Sequence, residues 1–325
     1  MVIIQLAGGL GNQMFQYALY LELVSLGREV KIDDVSGFVQ DVQRKPALAP
    51  FGITYECPTI KELEKMLDSS MLPWQRVRRK LFGRHKKAYF EESKLFLPEV
   101  LEWDDIYLEG YWQSENYFHA VEQQVREAYD TDRLIEYLKG IGMWNGGAER
   151  DAANAGSCHG GENRQEKTTA QYLDEIDNAC SVSVHIRRGD YLTPENQALF
   201  GGICTDAYYK EGMRQMQERL PKCSFYLFCN DKEWARENFS GRKDITLVDL
   251  SHSGEGCAAD DMDRDFAEFV LMSRCKHHIL ANSSFSWWAS YLNPNPDKFI
   301  LVPVRWLNHV DCRDFYREDM QKITL

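Results

Sequence analysis

SVSVHIRRGDY, residues 181–191, joins a strand-like run to a pair of arginines, and the fold prediction starts from it. The run SVSVHI is typical of a short buried strand. Alternation along such a strand would place His185 and Arg187 on one face, with Ile186 and Arg188 on the other. A guanidinium binds phosphate oxygens through paired hydrogen bonds and stays charged, so Arg187 is a candidate ligand for a diphosphate. An ion pair between Arg188 and Asp190 is the structural alternative for those two residues.

Four further apolar runs follow this strand, with helical segments between them. They are FYLFC (225–229), ITLV (245–248), HHILA (277–281) and FILV (299–302). Strands that alternate with helices predict parallel pairing, with helices on both faces of the sheet. Ligands of such sheets bind outside the carboxyl ends of the strands, and Arg187 follows one of those ends.

The amino-terminal segment predicts a βαβ unit around a glycine turn. Its elements are a strand at 2–7, the turn GGLGN, a helix at 13–26 and a strand at 29–33. Gly9 and Gly11 would permit backbone angles and close approaches that a Cβ would block, and a helix beginning near Asn12 would direct amide donors at a ligand. A dinucleotide-binding fingerprint needs a third glycine where Met14 stands, which weakens the alternative of an NAD-dependent oxidoreductase.

The length of 325 residues favours two compact units over one core. A strand at 106–110 and a helical stretch at 118–137 complete the first unit. The next segment is rich in Gly, Ala and Asn and lacks hydrophobic periodicity. We therefore predict an amino-terminal lobe at 1–140, a linker or mobile loop at 141–169 and a carboxyl-terminal lobe at 170–325.

Composition indicates a soluble, cytoplasmic protein. Hydrophobic residues make up 44% and charged residues 27% of the chain, and no apolar run approaches the roughly 18 residues of a membrane span. The net charge of −12 opposes nucleic-acid binding. Nine scattered cysteines without a C-x-x-C pair indicate reduced thiols. The basic segment RVRRKLFGRHKK (76–87) has two interpretations: peripheral contact with an anionic membrane surface, or a solvated helix face, which is commoner in an acidic protein.

Polar residues also follow two later strands. Asn230 and Asp231 would meet a ligand at a strand end, although Asp231 could simply cap the next helix. After HHILA, the run NSSFS supplies hydroxyls and an amide that could surround phosphate oxygens at a helix start. The polar residues of that run are Asn282, Ser283, Ser284 and Ser286. Trp287 and Trp288 are expected to pack in the core rather than stack on a ligand.

Two segments suggest metal ligands, and both have a structural explanation. Cys275, His277 and His278 cluster in sequence, but alternation sends the two histidines to opposite faces. The acidic run DDMDRD (260–265) resembles a D-x-D manganese motif, yet it precedes a helix, where carboxylates favour the helix dipole. We expect no metal.

Five motifs occur in order over most of the chain: GGLGNQMFQYA (8–18), GYWQSENYF (110–118), HIRRGDY (185–191), FYLFCND (225–231) and LMSRCKHHILANSSFSWWASYLN (271–293). Together they resemble the bacterial-type α-1,2-fucosyltransferases of glycosyltransferase family 11. The resemblance implies a GT-B type fold, with two Rossmann-like lobes whose parallel sheets face a cleft. It also implies GDP-fucose as the donor, no cofactor or metal, and inverting transfer to the 2-hydroxyl of a terminal galactose on an oligosaccharide or glycolipid.

The resemblance also implies roles for individual residues. Arg187 is expected on the β-phosphate and His185 near the nucleoside, while Glu268 stands where relatives carry a guanine-binding aspartate. The diphosphate contacts fall on the NSSFS run, and the wall near fucose falls on the glycine turn. The residues of these two regions are Asn282, Ser283 and Ser284 in the first, and Gly9, Gly11 and Asn12 in the second. The general base stays open between Asp190 and Glu195. A non-catalytic carbohydrate-binding protein is the remaining alternative to the transferase.

Overall fold

The structure is a computed structural model that describes residues 1–41, 43–145, 167–188, 191, 193–239, 241–250 and 260–325. The chain forms two compact units. The first comprises Met1–Tyr129 with Val310–Arg317, and the second comprises Asp130–His309 with Glu318–Leu325. Most of the predicted linker at 141–169 lies outside the described residues.

The first unit contains a four-stranded parallel sheet. Its strands are β1 (Val2–Gln5), β2 (Val30–Asp33), β3 (Ala88–Phe90) and β4 (Ile106–Glu109), in the order β2-β1-β4-β3. Its helices are α1 (Leu10–Ser25), α2 (Ile60–Leu67), α3 (Pro73–Phe82) and α4 (Glu122–Ala128). The predicted βαβ opening is confirmed. Strand β1 ends two residues before the predicted Ala7, ahead of a turn that Gly8 makes with a φ of 76°.

Two buried glutamines of α1 fix the loops around the glycine turn. Gln13 donates to the carbonyls of Gly8 (2.8 Å) and Lys45 (3.0 Å), and its Oε1 accepts from the N–H of Ala47. Gln16 accepts from the N–H of Ala7 (3.0 Å) and donates to the carbonyl of Gly110 (2.7 Å). Because an unpaired buried amide is costly, these bonds hold the turn in one conformation.

The second unit is built on a six-stranded parallel sheet. Its strands are β5 (Ser181–Ile186), β6 (Ser224–Cys229), β7 (Ile245–Leu247), β8 (His277–Ile279), β9 (Ile300–Pro303) and β10 (Met320–Ile323). Its helices are α5 (Thr131–Gly140), α6 (Thr169–Asn178), α7 (Pro194–Phe200), α8 (Asp206–Arg219), α9 (Lys232–Phe239), α10 (Asp261–Arg274) and α11 (Ser284–Leu292). The α/β class, with two Rossmann-like lobes built on parallel sheets, is confirmed.

The strand order of this sheet, β7-β6-β5-β8-β9-β10, is the doubly wound Rossmann order. The chain runs outward from β5 through β6 to β7, then returns to the other side of β5 with β8. The order therefore reverses between β5 and β8, whose register pairs Val184 with Ile279. In open α/β sheets, ligands bind at the carboxyl end of this reversal point.

The division between the units falls at 129/130, whereas the sequence predicts 140. The predicted helical stretch 118–137 is broken, because Asp130 ends it and caps α5 by accepting from the N–H of Asp132. Helix α5 belongs to the second unit, where Tyr137 donates to the Asp263 carboxylate at 2.8 Å and its ring packs edge-on against Phe266. Helical periodicity shows that a face is buried but does not show which core covers it.

A segment near the carboxyl terminus, residues 310–317, also belongs to the first unit. There the Asp314 carboxylate accepts from the N–H of Phe96 at 2.7 Å. None of the described helices is long and apolar enough to span a bilayer.

Candidate active site

Three neighbouring strands of the second unit end in polar residues. Arg187 follows β5, Asn230 and Asp231 follow β6, and Asn282 and Ser283 follow β8. Because β8, β5 and β6 are adjacent and parallel, these residues share one edge of the sheet, at the reversal of strand order. The structure thus gathers side chains that are up to 96 residues apart in sequence (187 to 283).

Arg187 is supported by an aromatic ring. Its guanidinium carbon lies 5.6 Å from the centre of the Tyr191 ring, a cation–π distance. The Tyr191 ring stacks on Phe200 with centroids 4.4 Å apart, and its hydroxyl donates to the carbonyl of Asn282 at 2.9 Å. Tyr191 therefore ties Arg187 to the loop after β8. The sequence motif contains Tyr191, but nothing in the pattern indicates this supporting role.

Arg188 is directed to a different partner. Its backbone N–H donates to the Asn230 side chain at 2.9 Å, and its Nε lies 3.4 Å from Asp231 Oδ2. Its guanidinium carbon lies 4.1 Å from the centre of the Trp234 ring. The predicted alternative pair of Arg188 with Asp190 involves a residue outside the described ones, and the observed carboxylate partner is Asp231.

The interpretation of Asp231 as a helix cap is confirmed. Its Oδ1 accepts from the N–H of Trp234 at 3.0 Å, in the first turn of α9. The strand-end arginine Arg188 therefore contacts a carboxylate that is already bound to the start of a helix. Alternation after β5 explains the different surroundings of Arg187 and Arg188.

His185, the last residue but one of β5, is a buried histidine. Its Nδ1 is fully buried and makes no hydrogen bond to any described residue. Burial, followed by the positive charges of Arg187 and Lys232, lowers the pKa of His185 to about 3. The imidazole is therefore neutral at physiological pH and brings a hydrogen-bonding atom, not a charge, to this edge of the sheet. Buried polar atoms without partners are uncommon and need an explanation.

Helix α10 contributes two carboxylates. Glu268 Oε1 pairs with Lys232 Nζ at 2.9 Å, and the same ammonium donates to the carbonyl of Val248 at 2.7 Å. Asp265 lies one turn earlier on α10 and retains exposed surface. Burial by the surrounding protein and the negative charge of Glu268 raise the pKa of Asp265 to about 7, and Arg187 opposes the shift. Asp265 belongs to the acidic run DDMDRD, for which the sequence predicted only carboxylates at the start of a helix.

In the loop after β8, Asn282 has a structural role. Its Nδ2 donates to the carbonyl of Trp306 at 3.0 Å, and its Oδ1 accepts from the Cys204 thiol. Both ends of this buried amide are thus used to hold the loop. Ser286 is likewise engaged, because its hydroxyl donates to the carbonyl of Ser283 at 3.3 Å.

Ser283 occupies the N-cap position of α11, but its hydroxyl makes no capping bond. Ser284 begins the helix itself. The Ser283 hydroxyl and the first N–H groups of α11 are thus candidate donors to an anion. The structural interpretation of the tryptophans is confirmed, since Trp287 and Trp288 have no exposed surface and pack edge-on with centroids 5.1 Å apart.

In the glycine turn of the first unit, the sequence pattern indicated Gly9 and Gly11, but the structure requires a glycine at Gly8. Gly8 has the positive φ, and a Cβ there would lie 2.6 Å from Asn12 Nδ2. Gly9 has extended angles (φ −75°, ψ 174°), and the nearest atom to a Cβ there would be Arg44 Nε at 3.9 Å. Neither the backbone angles at Gly9 nor its protein neighbours therefore require glycine, and its predicted close approach to a ligand stays a prediction. Gly11 is buried in the first turn of α1, and Asn12 accepts from the Gln113 amide at 2.7 Å.

The candidate metal ligands have protein partners. His278 Nδ1 lies 2.8 Å from the Ser183 hydroxyl and its Nε2 lies 2.6 Å from Asn293 Nδ2, while His277 Nδ1 accepts from the N–H of Phe299. Asp260 caps α10 and shares a capping box with Asp263. In the described part of the chain, no group of three or more His, Cys, Asp or Glu residues could hold a metal ion.

The raised pKa of Asp265 makes a prediction about stability. A carboxyl that keeps its proton to pH 7 when folded, but loses it near pH 4 when unfolded, destabilises the folded state increasingly as the pH rises through that window. Asp265→Asn should therefore gain thermal stability relative to the parent between pH 4 and 7, with no further gain above pH 8. Melting temperatures of the two proteins in a common buffer series would show this; a constant difference at every pH would contradict it.

Comparison with known proteins finds similar glycosyltransferases. Residues 162–321 match the model described as "Glycosyl transferase family 11". Over 97% of its length, the chain is 27% identical to an alpha-1,2-colitosyltransferase of Escherichia coli, of which it covers 95%. It is 29% identical to the galactoside alpha-(1,2)-fucosyltransferase 1 of Lagothrix lagotricha, over 88% of this chain and 63% of that protein.

A similar solved structure is the fucosyltransferase NodZ from Bradyrhizobium. It shares 13% sequence identity with this chain and gives a TM-score of 0.40, over 90% of this chain and 93% of that one. The family match covers almost all of the second unit from α6 onward, including β5, β6, β8 and the polar residues that follow them. The chain is a glycosyltransferase, and its residues 162–321 are similar to glycosyltransferase family 11.

Proposed function

We propose that this enzyme transfers L-fucose from GDP-fucose to the 2-hydroxyl of a terminal galactose, with inversion at the anomeric carbon and without a metal. The observation that supports this most directly is that Arg187 follows β5 and the uncapped start of α11 follows β8, the two strands at the reversal point of a Rossmann sheet. Two similar proteins are named for 1,2-linked transfer, one of colitose and one of fucose to galactoside. That agreement supports the linkage.

The diphosphate would lie between Arg187 and the loop after β8. Arg187 can bind two phosphate oxygens at once, while Ser283, Ser284 and the α11 N–H groups supply neutral donors. As the bond to fucose breaks, negative charge accumulates on the departing GDP. A fixed guanidinium stabilises that charge without reorganising, and this is the main source of rate in our proposal. The glycosyl centre passes through an oxocarbenium-like state, as in other glycosyl transfers.

The nucleoside would lie between β5, β6 and α10. Glu268 can accept from the ring N–H and the 2-amino group of guanine, and Lys232 holds that carboxylate through Oε1. Neutral His185 offers a hydrogen bond beside it. Asn230 and Asp231 act indirectly in this proposal, because they hold Arg188 and the start of α9.

Two remaining roles are proposed from the sequence resemblance, one for the contact with fucose and one for the base. Gly9, Gly11 and Asn12, on the turn and the first turn of α1, are proposed as the wall against fucose. Asp190 is our first candidate for the base that takes the proton from the acceptor hydroxyl, with Glu195 as the alternative. The side chains of both lie outside the described residues. The departing phosphate could itself accept the proton, in which case neither carboxylate is needed.

A second candidate donor carries colitose, because one similar protein is an alpha-1,2-colitosyltransferase. Colitose is fucose without its 3-hydroxyl, so both sugars present the same 6-methyl group and the same anomeric centre. A site that hydrogen-bonds the 3-hydroxyl would reject colitose strongly, whereas an apolar contact there would discriminate only weakly. The ratio of kcat/KM for the two GDP-sugars decides between the donors.

The activity test measures GDP release from GDP-fucose with lactose in excess EDTA. We expect lactose-dependent release and a product in which fucose is 2-linked to galactose. Arg187→Ala should lower kcat by at least about a hundredfold, because it removes the charge opposite the leaving group. Arg214→Ala is the control: its guanidinium pairs on an exposed face of α8 with Glu211 and Glu218, and we expect little change.

Several outcomes of this test contradict the proposal. They are a folded Arg187→Ala protein with near-parental turnover, a requirement for a divalent metal, and a product linked at another hydroxyl. If kcat/KM is far higher for GDP-colitose than for GDP-fucose, the donor sugar is colitose and the rest of the proposed mechanism is unchanged.

Glu268→Gln tests the base specificity. The parent should bind GDP more tightly than IDP, since hypoxanthine lacks the 2-amino group that the carboxylate would accept from. Glu268→Gln should weaken GDP binding by about five- to 150-fold, which corresponds to about 1–3 kcal/mol, and should remove most of the preference for GDP over IDP. Titration calorimetry with both nucleotides measures this. If Glu268 only holds Lys232 in place, Glu268→Gln will weaken the binding of GDP and IDP equally. Lys232→Met shows how much nucleotide affinity is lost when Lys232 itself is removed.

A further inference from the structure

Helix α3 is amphipathic, but its apolar face is the exposed one. Its apolar side chains Trp74, Val77 and Leu81 are 62%, 57% and 70% exposed. They are spaced by three and four residues and so form one face of the helix. The side chains with least exposure are polar, namely Gln75, Arg78 and Arg79. No residue of α3 is buried. The helix thus turns its polar face to the protein and its apolar face to the solvent.

Polar contacts hold α3 in this orientation. Arg79 donates to the carbonyl of Ser70, and Arg78 pairs with the Asp68 carboxylate. Asp68 also accepts from the N–H of His85, just beyond the helix. An amphipathic surface helix usually packs its apolar face on the core of its own protein. Because α3 is anchored through its polar face instead, its apolar face stays available for another contact.

The apolar surface extends beyond the three central side chains. Phe82 at the end of α3 is 71% exposed, and Met71 and Leu72 immediately before the helix are also exposed. Isolated exposed apolar residues are common, but a contiguous group on one element marks a contact surface. We call this group, Met71, Leu72, Trp74, Val77, Leu81 and Phe82, the α3 patch.

Positive charge surrounds the α3 patch. The segment 76–87 contains seven Lys and Arg residues and no Asp or Glu, in a chain with a net charge of −12. Arg76 and Lys80 lie on α3, and Arg84 and Lys86 follow it. All four are exposed and form no ion pair with a described residue. This cationic cluster stands out against the acidic balance of the whole chain.

We propose that α3 and the segment that follows it form a docking surface for an anionic lipid bilayer. The helix would lie in the interface plane, with the α3 patch inserted among the acyl chains near the headgroups and the basic side chains on the phosphates. Trp74 suits this depth, because indole prefers the boundary between lipid and water. The inference does not depend on the proposed reaction.

Two other occupants fit the surface less well. A second copy of the chain would bring an identical cationic segment against this one in a two-fold contact, and like charges oppose that pairing. A soluble acidic peptide would match the positive charges, but its polar side chains would not complement the six apolar side chains of the α3 patch. An anionic bilayer offers both an apolar layer and a surface of phosphates.

The experiment is vesicle co-sedimentation of the full chain, with phosphatidylcholine vesicles alone or containing about 30% phosphatidylglycerol. The test variant is Trp74→Ser/Val77→Ser/Leu81→Ser, and a second variant is Arg76→Ser/Lys80→Ser/Arg84→Ser. The control is Leu26→Ser/Val39→Ser, which removes two exposed apolar side chains elsewhere in the same unit. Thermal unfolding of each variant checks that the fold is kept.

We expect at least about tenfold stronger binding to the anionic vesicles, and a similar loss in each triple variant. The control should bind as the parent does, and salt at 0.5 M should weaken binding. The proposal is overturned if the parent binds both vesicles equally or neither, or if the apolar triple variant binds as the parent does. It is also overturned if the parent forms a dimer that the apolar variant abolishes while vesicle binding is absent.

Discussion

The position of Arg187 at the end of β5 is the constraint on which the rest of the second unit depends. A guanidinium at this position must stay accessible to a ligand and yet remain fixed in direction. Accessibility comes from the strand order, because the sheet reverses between β5 and β8 and leaves the end of β5 uncovered by a crossover. Direction comes from the Tyr191 ring, whose hydroxyl is bound to the loop after β8.

The titratable groups near Arg187 differ in their partners and in their protonation. Glu268 is paired with Lys232, and Asp265 keeps its proton to about pH 7. His185 is held neutral, in part by Arg187 itself. In the proposed reaction, the positive charge of Arg187 stabilises the departing GDP.

Much of this fold could be predicted from the sequence, because the signals are local. Apolar runs located β5 to β9 to within two residues but did not predict β10, and acidic residues predicted the cap at Asp231 and the helix start after Asp260. Alternation separated Arg187 from Arg188 correctly, but the partner of Arg188 was not predictable, since it lies 43 residues away, just beyond the neighbouring strand β6. Asn282, Tyr191 and Asp265 were missed or given other roles for the same reason. Their environments are set by contacts across the sheet, which no local pattern records. Gly8 was overlooked because adjacent glycines look alike until the backbone angles are known.

The most direct measurement is a crystal structure of the enzyme with GDP. The account predicts β-phosphate oxygens within about 2.7–3.2 Å of the Arg187 guanidinium, with the diphosphate against Ser283 at the start of α11 and the guanine edge facing Glu268. A diphosphate bound at the glycine turn of the first unit, with Arg187 making no contact to it, would contradict the central claim.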